Sequence, residues 1–535
     1  MVAYGDFTRH HISMIKKIPK QVIEVLEKIE AEGFEAYIVG GCVRDLIMGR
    51  TPKDWDIATS AKPEEIQKLF PDSFYENEFG TVGVKVERFI DNGSGREHDV
   101  IEVTTYRIES KYSDKRRPDA VNFAKTLEED LSRRDFTMNA IALRIVNQSS
   151  AFDSKLGFSL ATSKPSQFPK AKLSPGSSKP SFSSFEIIDP YSGQKDIAKK
   201  IIRTVDNPNE RFDEDALRMM RAIRFHAELN FAIEKNTQVA IEKYAGNMKH
   251  IALERIKEEL AKIILSDNPA EGTDMLHQTG LLAYVIPELE KGVGVKQNRH
   301  HIYTIYKHSI LSLKHCPSKK LEVRLAALLH DIAKPQTKRG EGEFATFYNH
   351  DHVGSRVTKK ILERLRFSND IINKVSLLID NHMFYYNPDE VTESSVRRLI
   401  QKVGLENMKD LIDVRIADRL GSGVPKAKPY KLRHLEYIIE KVSTDAVSVK
   451  MLKINGNDLM KNLKIKPGPK IGAILDVLLS EVIEDAEKNK KEILLKRAKV
   501  LDQEYLDKLR KMAKVKIEEK KEEEDKEIKG RHWVK

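Results

Sequence analysis

The chain has 535 residues, two cysteines and a formal net charge of +11. That length implies several domains with ample core. Two thiols give neither a disulfide framework nor a zinc pattern, which fits a reducing cytosol. No apolar run is long enough to span a bilayer and no apolar signal core stands at the N-terminus, so the expectation is a cytosolic chain and not a secreted or membrane one. The basic balance favours a polyanionic partner, although a dispersed lysine excess would look the same.

Val22, Ile23, Leu26 and Ile29 predict an amphipathic helix ended by Gly33. Glu35–Val39 reads as a strand, Gly40–Gly41 as a turn, and Val43–Met48 as a short helix containing Arg44. Asp54 and Asp56 follow at i and i+2, so in a strand both carboxylates face one side. Side-by-side carboxylates repel unless a cation lies between them, and Mg²⁺ takes carboxylate oxygens together with substrate phosphates. The glycine turn lets backbone N–H groups approach a triphosphate, and the helix behind it favours an anion. Alone, Asp-x-Asp is more simply two solvated aspartates on an edge strand; the turn upstream reverses that preference.

Thr81–Glu87 alternates as a strand and Asp91–Gly95 is a strong turn, so residues 82–106 read as a hairpin. Its second strand holds Glu102, a candidate third carboxylate. Residues 148–184 shift to Ser, Pro, Lys and Gly and read as a flexible insert. From Ile197 onward the periodic segments are nearly all helical. Asp215, Arg218, Arg221 and Arg224 recur every three residues on one helix face, opposite Leu217, Met220 and Ile223. In an arbitrary helix that pattern is a surface salt-bridge ladder. His308, His330–Asp331, His350, His382 and Asp418 fall in a helical region, where imidazole and carboxylate suit a transition metal better than Mg²⁺. Lys426, Lys428, Lys431 and Arg433 form a basic cluster that could face RNA phosphates or equally be a solvated face. Residues 507–535 are Lys/Glu-rich and read as a solvated helix or a disordered tail.

Together the Gly40–Asp45, Asp54–Thr59, Asp99–Arg107, Arg133–Ala140, Arg211–Phe225 and Ala252–Leu260 segments, in this order, resemble the class II nucleotidyltransferases. These are the bacterial tRNA CCA-adding enzymes and the related poly(A) polymerases. The resemblance runs from about Ile18 to about Ala498, interrupted by the insert. It implies an α+β chain: a mixed-sheet nucleotidyltransferase head followed by an all-helical neck, HD domain and tail. The expected boundaries are 18–147 for the head, 148–184 for the insert and 185–290 for the nucleotide-reading neck. The HD domain spans 300–425, the tRNA-binding tail 426–506, and the charged segment 507–535.

The resemblance also assigns roles. Asp54 and Asp56 would hold Mg²⁺, with Glu102 as the third carboxylate. Gly41 and Arg44, helped by Arg134 and Asp135, would hold the triphosphate, and Asn139 the sugar. Asp215 and Arg218 would pair with the base edge of CTP or ATP, with Arg221 and Arg224 on base or phosphates. Residues 106–118 resemble the flexible loop associated with the switch from C to A addition, which argues against a CC-only enzyme. Ala252–Leu260 would support the reading helix. Leu321–Lys334 resembles an HD phosphohydrolase signature, giving His308, His330, Asp331 and Asp418 as ligands for Ni²⁺ or Mn²⁺, with His350 and His382 as extra ligands or phosphate contacts. His300, His301 and His352 are taken as neighbours. Leu452–Leu459 and Pro467–Gly472 resemble the tRNA-binding tail, with Ile454, Leu459 and Leu475 in its core.

The expectation is therefore a cytoplasmic enzyme acting on tRNA with CTP and ATP, without a membrane partner. Poly(A) polymerase is the nearest rival, then an A-only tRNA enzyme. A rival of another class is an HD phosphohydrolase whose head only binds RNA; the intact Asp54, Asp56 and Arg134 disfavour it.

Overall fold

The computed structural model describes residues 14, 16–77, 80–87, 98–109, 121–146, 184–298, 302–388, 390–423, 428–443 and 452–534. They fall into two compact units, residues 1–290 and 291–535. The first opens with α1 (Lys20–Ala31), which buries Val22, Ile23, Val25, Leu26 and Ile29. Gly33 stops it at φ +86°, a conformation that costs glycine little.

There follow β1 (Ala36–Val39), α2 (Gly41–Ile47), β2 (Trp55–Thr59), α3 (Pro63–Leu69), β3 (Ser73–Asn77), β4 (Thr81–Val86) and β5 (Asp99–Thr105). A short ribbon, β6 (Arg107–Glu109) and β7 (Val121–Phe123), precedes α4 (Leu127–Ser132), β8 (Ala142–Val146) and β9 (Ser184–Ile188). Seven strands form one sheet in the order β3-β4-β5-β2-β1-β8-β9. Only β2 and β5 pair in parallel; the other neighbours are antiparallel. Ile38, Ile57, Ile101 and Val103 from its central strands have no exposure at all.

The expected hairpin is present, with β4 paired to β5 from Thr81 opposite Thr104 to Val86 opposite Asp99. Its turn at 91–95, the 110–118 part of the loop segment, and the insert from 148 to 183 lie outside the described residues. The sheet itself reaches past the expected head boundary at 147. Residues 184–188, divided by sequence between the end of the insert and the start of the helical neck, supply its seventh strand, with Ala142 opposite Ile188 and Val146 opposite Ser184. Phe185 and Ile187 are half-buried while Glu186 is exposed, the alternation of a strand with one covered face.

The rest of this unit is α5 (Gly193–Lys199), α6 (Pro208–Glu214), α7 (Leu217–Leu229), α8 (Lys235–Tyr244), α9 (Leu253–Leu265), α10 (Pro269–Gln278), α11 (Leu282–Val285) and α12 (Pro287–Glu290). One small parallel pair, β10 (Ile201–Ile202) with β11 (Ala232–Ile233), interrupts the helices.

The second unit is helical: α13 (Ile305–Lys314), α14 (Leu321–Leu329), α15 (Lys334–Thr337), α16 (His350–Arg364), α17 (Asn369–Asp380), α18 (Glu393–Val403), α19 (Leu405–Gly421) and α20 (Tyr430–Ser443). Then come α21 (Gly456–Leu463), α22 (Pro469–Glu484), α23 (Lys491–Leu501) and α24 (Leu506–His532). Ile454, Leu459 and Leu475 do belong to one core, shared with Ile474, Leu478 and Leu509. The charged segment is a helix fastened at both ends. Leu509 is fully buried in that core, Asp525 meets Lys441 at 3.2 Å, and Arg531 meets Glu440 at 2.8 Å. Among the described residues no helix is long and apolar enough to cross a membrane.

Candidate functional site

Strand β1 is buried along its whole length, and the chain leaves it directly into α2. Gly40 makes that turn at φ +81°. A Cβ there would lie 2.9 Å from Arg134 Nη1 and 3.5 Å from Asp56 Oδ2. The steric need for glycine therefore falls on Gly40. At Gly41, the residue singled out from sequence, a Cβ would meet nothing nearer than Arg44 Nη2 at 3.6 Å.

Asp54 is exposed just before β2, and Asp56 is half-buried within it. Parallel pairing sets Asp56 directly opposite Glu102 on β5. Residues opposite one another on adjacent strands project from the same face, so these two carboxylates share one side of the sheet. Gly83 flanks Glu102 on β4, and the Phe74 ring covers it so closely that a Cβ would fall 2.5 Å away. The three acids offer oxygen donors only, which fits a hard divalent cation.

The arginines around this face are braced from below. Asp130, 1 % exposed, accepts from Arg133 at 2.8 Å and Arg134 at 3.1 Å. It also takes the backbone N–H of Arg107 at 3.4 Å. Sequence reasoning missed Asp130; an acid three and four residues before two arginines on a helix was the available signal. Arg134 Nε is buried with no protein partner.

Asp135 joins the turn to the reading helix. Its Oδ1 accepts from Phe136 N at 2.8 Å and Asn139 Nδ2 at 3.1 Å, and its Oδ2 accepts from Arg221 Nε at 2.7 Å. Burial pushes its carboxyl upward, but Arg221 and the Asn139 bond outweigh that and hold it at about 2. Asn139 Oδ1 in turn accepts from Arg44 Nη1 at 3.0 Å, and Arg44 Nε donates to Asp45 at 2.9 Å. Both ends of the Asn139 amide are thus used inside the protein.

The arginine ladder is only partly a ladder. Arg218, Arg221 and Arg224 lie on α7, but Asp215 does not. It sits between α6 and α7 in extended backbone, φ −137° and ψ +105°, where its Oδ1 accepts from Leu217 N at 3.0 Å. Aspartate favours this local side-chain-to-backbone bond over a helical interior. Arg255 on α9 grips Asp215 Oδ2 at 2.8 Å. Arg218 donates to Glu214 Oε2 at 2.5 Å and to the Arg133 carbonyl at 3.2 Å. Arg224 meets Glu259, also on α9, at 3.4 Å. The 252–260 segment expected to support the reading helix touches it through Glu259 and touches the Asp215 ahead of it through Arg255, neither singled out from sequence.

In the second unit the six expected residues converge. His308 Nε2 lies 3.0 Å from His330 Nε2, 3.2 Å from Asp331 Oδ2 and 3.4 Å from Asp418 Oδ1. On the other side, His350 Nε2 and His382 Nε2 lie 3.4 and 4.0 Å from Asp331 Oδ1. Carbonyls of Ala327, Phe347 and Ile379 face the Nδ1 atoms of His330, His350 and His382 at 2.9, 2.7 and 2.6 Å. A carbonyl only accepts, so Nδ1 carries the proton and Nε2 presents a lone pair. Burial pushes the His382 imidazole down to about 3. The Nε2 atoms of His350 and His382 are buried without a hydrogen-bond partner. Two donor groups share Asp331, His308–His330–Asp331 and Asp331–His350–His382, and within each the donor atoms lie within 4.8 Å of one another. Such convergent, buried lone pairs fit divalent metal ions. Lys334, missed from sequence, places Nζ 2.7 Å from Asp331 Oδ2. His352 pairs instead with Asp380 at 2.7 Å, and His300, His301 and Lys426 lie outside the described residues.

A mixed sheet carrying in-register acids beside a glycine turn, tied to an arginine-bearing helix, defines a metal-dependent nucleotidyltransferase. Comparisons with known proteins agree. Residues 36–159 match the poly(A) polymerase head domain, 230–292 an RNA and SrmB binding site of polymerase A, and 344–498 the second domain of tRNA nucleotidyltransferases. The chain is 33 % identical to the CCA-adding enzyme of Ligilactobacillus salivarius, over 91 % of this chain and 98 % of that one. It is 32 % identical to that of Enterococcus faecalis, over 90 % and 95 %. The structure of the Bacillus stearothermophilus CCA-adding enzyme in complex with CTP matches with a TM-score of 0.53 at 26 % identity, covering 90 % of this chain and 98 % of that one. The chain belongs to the class II nucleotidyltransferases, in the family of the CCA-adding enzymes.

Proposed function

We propose that the protein adds CCA to the 3′ end of tRNA from CTP and ATP, with Mg²⁺ held by Asp54, Asp56 and Glu102, in the bacterial cytosol. The observation that carries this is the register of Asp56 with Glu102 beside Gly40 and Arg134. Divalent cations bound there supply charge stabilisation at both the attacking and the leaving oxygen of an in-line displacement. The protein's own groups do the rest. Backbone N–H groups after Gly40 and the guanidinium groups of Arg44 and Arg134 hold the triphosphate, whose planar contacts suit arginine. Asp215 accepts from the exocyclic amino group that cytosine and adenine share, and Arg218 donates to ring acceptors. Uracil and guanine carry a carbonyl at that place and leave a buried group unpaired. Asp215 accepts from the base while Arg255 still holds it, since a carboxylate has lone pairs for both, whereas Arg218 must exchange its bond with Glu214 as the base enters.

The test is incubation with tRNA ending before CCA, tRNA ending at CC, and a poly(A) primer, each with one labelled nucleotide at a time. CTP then ATP addition to the first supports the proposal. ATP addition to CC-ending tRNA alone makes it an A-only enzyme, and extension of the poly(A) primer alone makes it a poly(A) polymerase.

A second reading rests on the buried cluster around Asp331. It supports a metal-dependent phosphohydrolase acting on phosphomonoesters or 2′,3′-cyclic phosphates, with Ni²⁺ or Mn²⁺ as the suited metal. When bound, such an ion supplies a Lewis acid at the phosphoryl oxygen; Arg415, which donates to Asp418 Oδ2 at 2.9 Å, fixes that ligand's orientation.

A further inference from the structure

Phe225 lies on α7 and is 4 % exposed. Three guanidinium groups surround its ring: Arg224 at 4.4 Å from the centroid, Arg44 at 5.3 Å and Arg221 at 5.6 Å. Phe136, from the Arg-Arg-Asp-Phe-Thr segment, meets it edge-on at 5.7 Å and 86°. Arg44 comes from α2, the helix of the glycine turn, while Arg221 and Arg224 come from α7. The ring therefore stands where the turn and the reading helix meet.

Three like charges gathered this closely repel one another. Each has a carboxylate of its own, Asp45 for Arg44, Asp135 for Arg221 and Glu259 for Arg224. The electron-rich face of an aromatic ring adds an attraction toward a cation that an aliphatic side chain of similar size does not provide. On the polar side, the chain Arg44–Asn139–Asp135–Arg221 joins two of the same arginines by hydrogen bonds. Arg44 and Arg221 are thus linked twice, once through the ring and once through the amide and carboxylate. Both links respond to any shift of α7 relative to α2.

We propose that Phe225 is a positioning residue that couples placement of the triphosphate by Arg44 to reading of the base by α7. This deepens the nucleotidyl-transfer proposal and rests on it. Phe225 touches no substrate; it acts by fixing where the arginines stand. A base that pairs well on α7 seats the helix, the ring moves with it, and Arg44 is aimed at the triphosphate. A base that pairs badly leaves Arg44 misplaced as well, so one mismatch is penalised twice.

The experiment uses the full chain with Phe225→Leu, Arg44→Met and the double variant, on tRNA ending before CCA. It measures KM and kcat for CTP, the CTP-over-UTP ratio of kcat/KM, KM for the tRNA, and thermal melting. Phe225→Leu should raise KM for CTP by about fivefold to tenfold and lower the CTP-over-UTP ratio, with KM for tRNA and the melting temperature near the parent's. Because the ring acts through Arg44, the double variant should have a KM for CTP no worse than Arg44→Met alone. If Phe225→Leu melts well below the parent, Phe225→Met, which fills a similar volume, takes its place. Unchanged KM and selectivity in the aliphatic variant, or penalties that multiply in the double variant, overturn the coupling. A wild type that adds neither CTP nor ATP to any primer overturns the nucleotidyl-transfer reading itself, an outcome distinct from either of those.

Discussion

Arg255 Nη2 donates to Asp215 Oδ2 at 2.8 Å, so the aspartate assigned to reading the base is held by a residue on another helix, α9. This bond fixes a carboxylate that lies outside regular helix, where it also accepts from the Leu217 N–H at 3.0 Å. Arg255→Met should therefore free Asp215 without emptying the pocket. The CTP-over-UTP preference should fall by about 10–100-fold in Arg255→Met, and by up to roughly 10⁴-fold in Asp215→Ala. Single-nucleotide addition assays with all four triphosphates measure it. An unchanged ranking in both variants would leave Asp215 a helix-capping residue and no more.

Asp56→Ala should abolish nucleotide addition while tRNA binding persists. The loss of one of the two carboxylates that share this face removes several kcal/mol of transition-state stabilisation. Glu102→Gln should behave similarly but less severely, because it keeps the side chain's shape. Gel-shift binding alongside the addition assay separates the two effects. Near-normal addition by Asp56→Ala in Mg²⁺ would remove this face from the chemistry.

Much of this site is local in the chain and so is visible in it. Gly40–Gly41, Asp54 with Asp56, and Arg133–Ala140 each place their groups within a few residues. The relations that join them are not local. That Glu102 faces Asp56 depends on a parallel pairing between strands 46 residues apart. That Asp215 leaves the helix was hidden by its three-residue spacing from Arg218, which mimics a continuous face. Its preference for bonding the N–H two residues on was the competing signal. The strand at 184–188 was masked by position, since it follows the long polar segment rather than the sheet it completes.

Asp135 makes stability depend on acid. Its carboxyl, ordinarily at 3.8, is held at about 2 in the folded protein by Arg221 and Asn139 against the opposing effect of burial. A depressed value means that the unfolded chain takes up the proton first. The contribution is full above about pH 4 and is lost as pH falls toward 2, amounting to about 2 kcal/mol. Asp135→Asn should flatten the acid limb of stability in that window. Urea unfolding at a series of pH values checks it; equal slopes for parent and variant would mean that the Arg221 pair contributes nothing.

The cluster around Asp331 should take up divalent metal independently of the head. After loading with Ni²⁺ or Mn²⁺ and desalting, elemental analysis should find up to two ions per chain at this cluster. His382→Ala should lose one and Asp331→Ala both, because Asp331 belongs to each donor group. Both variants should still add nucleotides to tRNA. Hydrolysis of phosphomonoesters and 2′,3′-cyclic phosphates with Ni²⁺, Mn²⁺ and Mg²⁺ should vanish with the metal. No bound metal and no hydrolysis in the wild type would make the cluster a buried polar core.

Replacing residues 147–183 with a two-residue Asn-Gly turn should preserve the fold and nucleotide addition. Val146 and Ser184 already sit opposite each other on neighbouring strands, the spacing that such a turn spans. Melting and addition assays on the shortened chain test this. Insolubility, or melting far below the parent, would show that the removed residues pack.

The pairing of β8 with β9 also sets an order of events during synthesis. Residues 147–183 must be made before the outermost strand of the sheet can emerge, which takes roughly 2–7 s at about 5–20 residues per second. For that interval the N–H and C=O groups along Ala142–Val146 form an open edge, the kind of template that invites a neighbouring nascent chain. Arg144 in the middle of that strand projects from the sheet face toward Glu30, 3.8 Å away, and not along the open edge. On a crowded polysome the unfinished sheet therefore stays open to mispairing until its own last strand arrives.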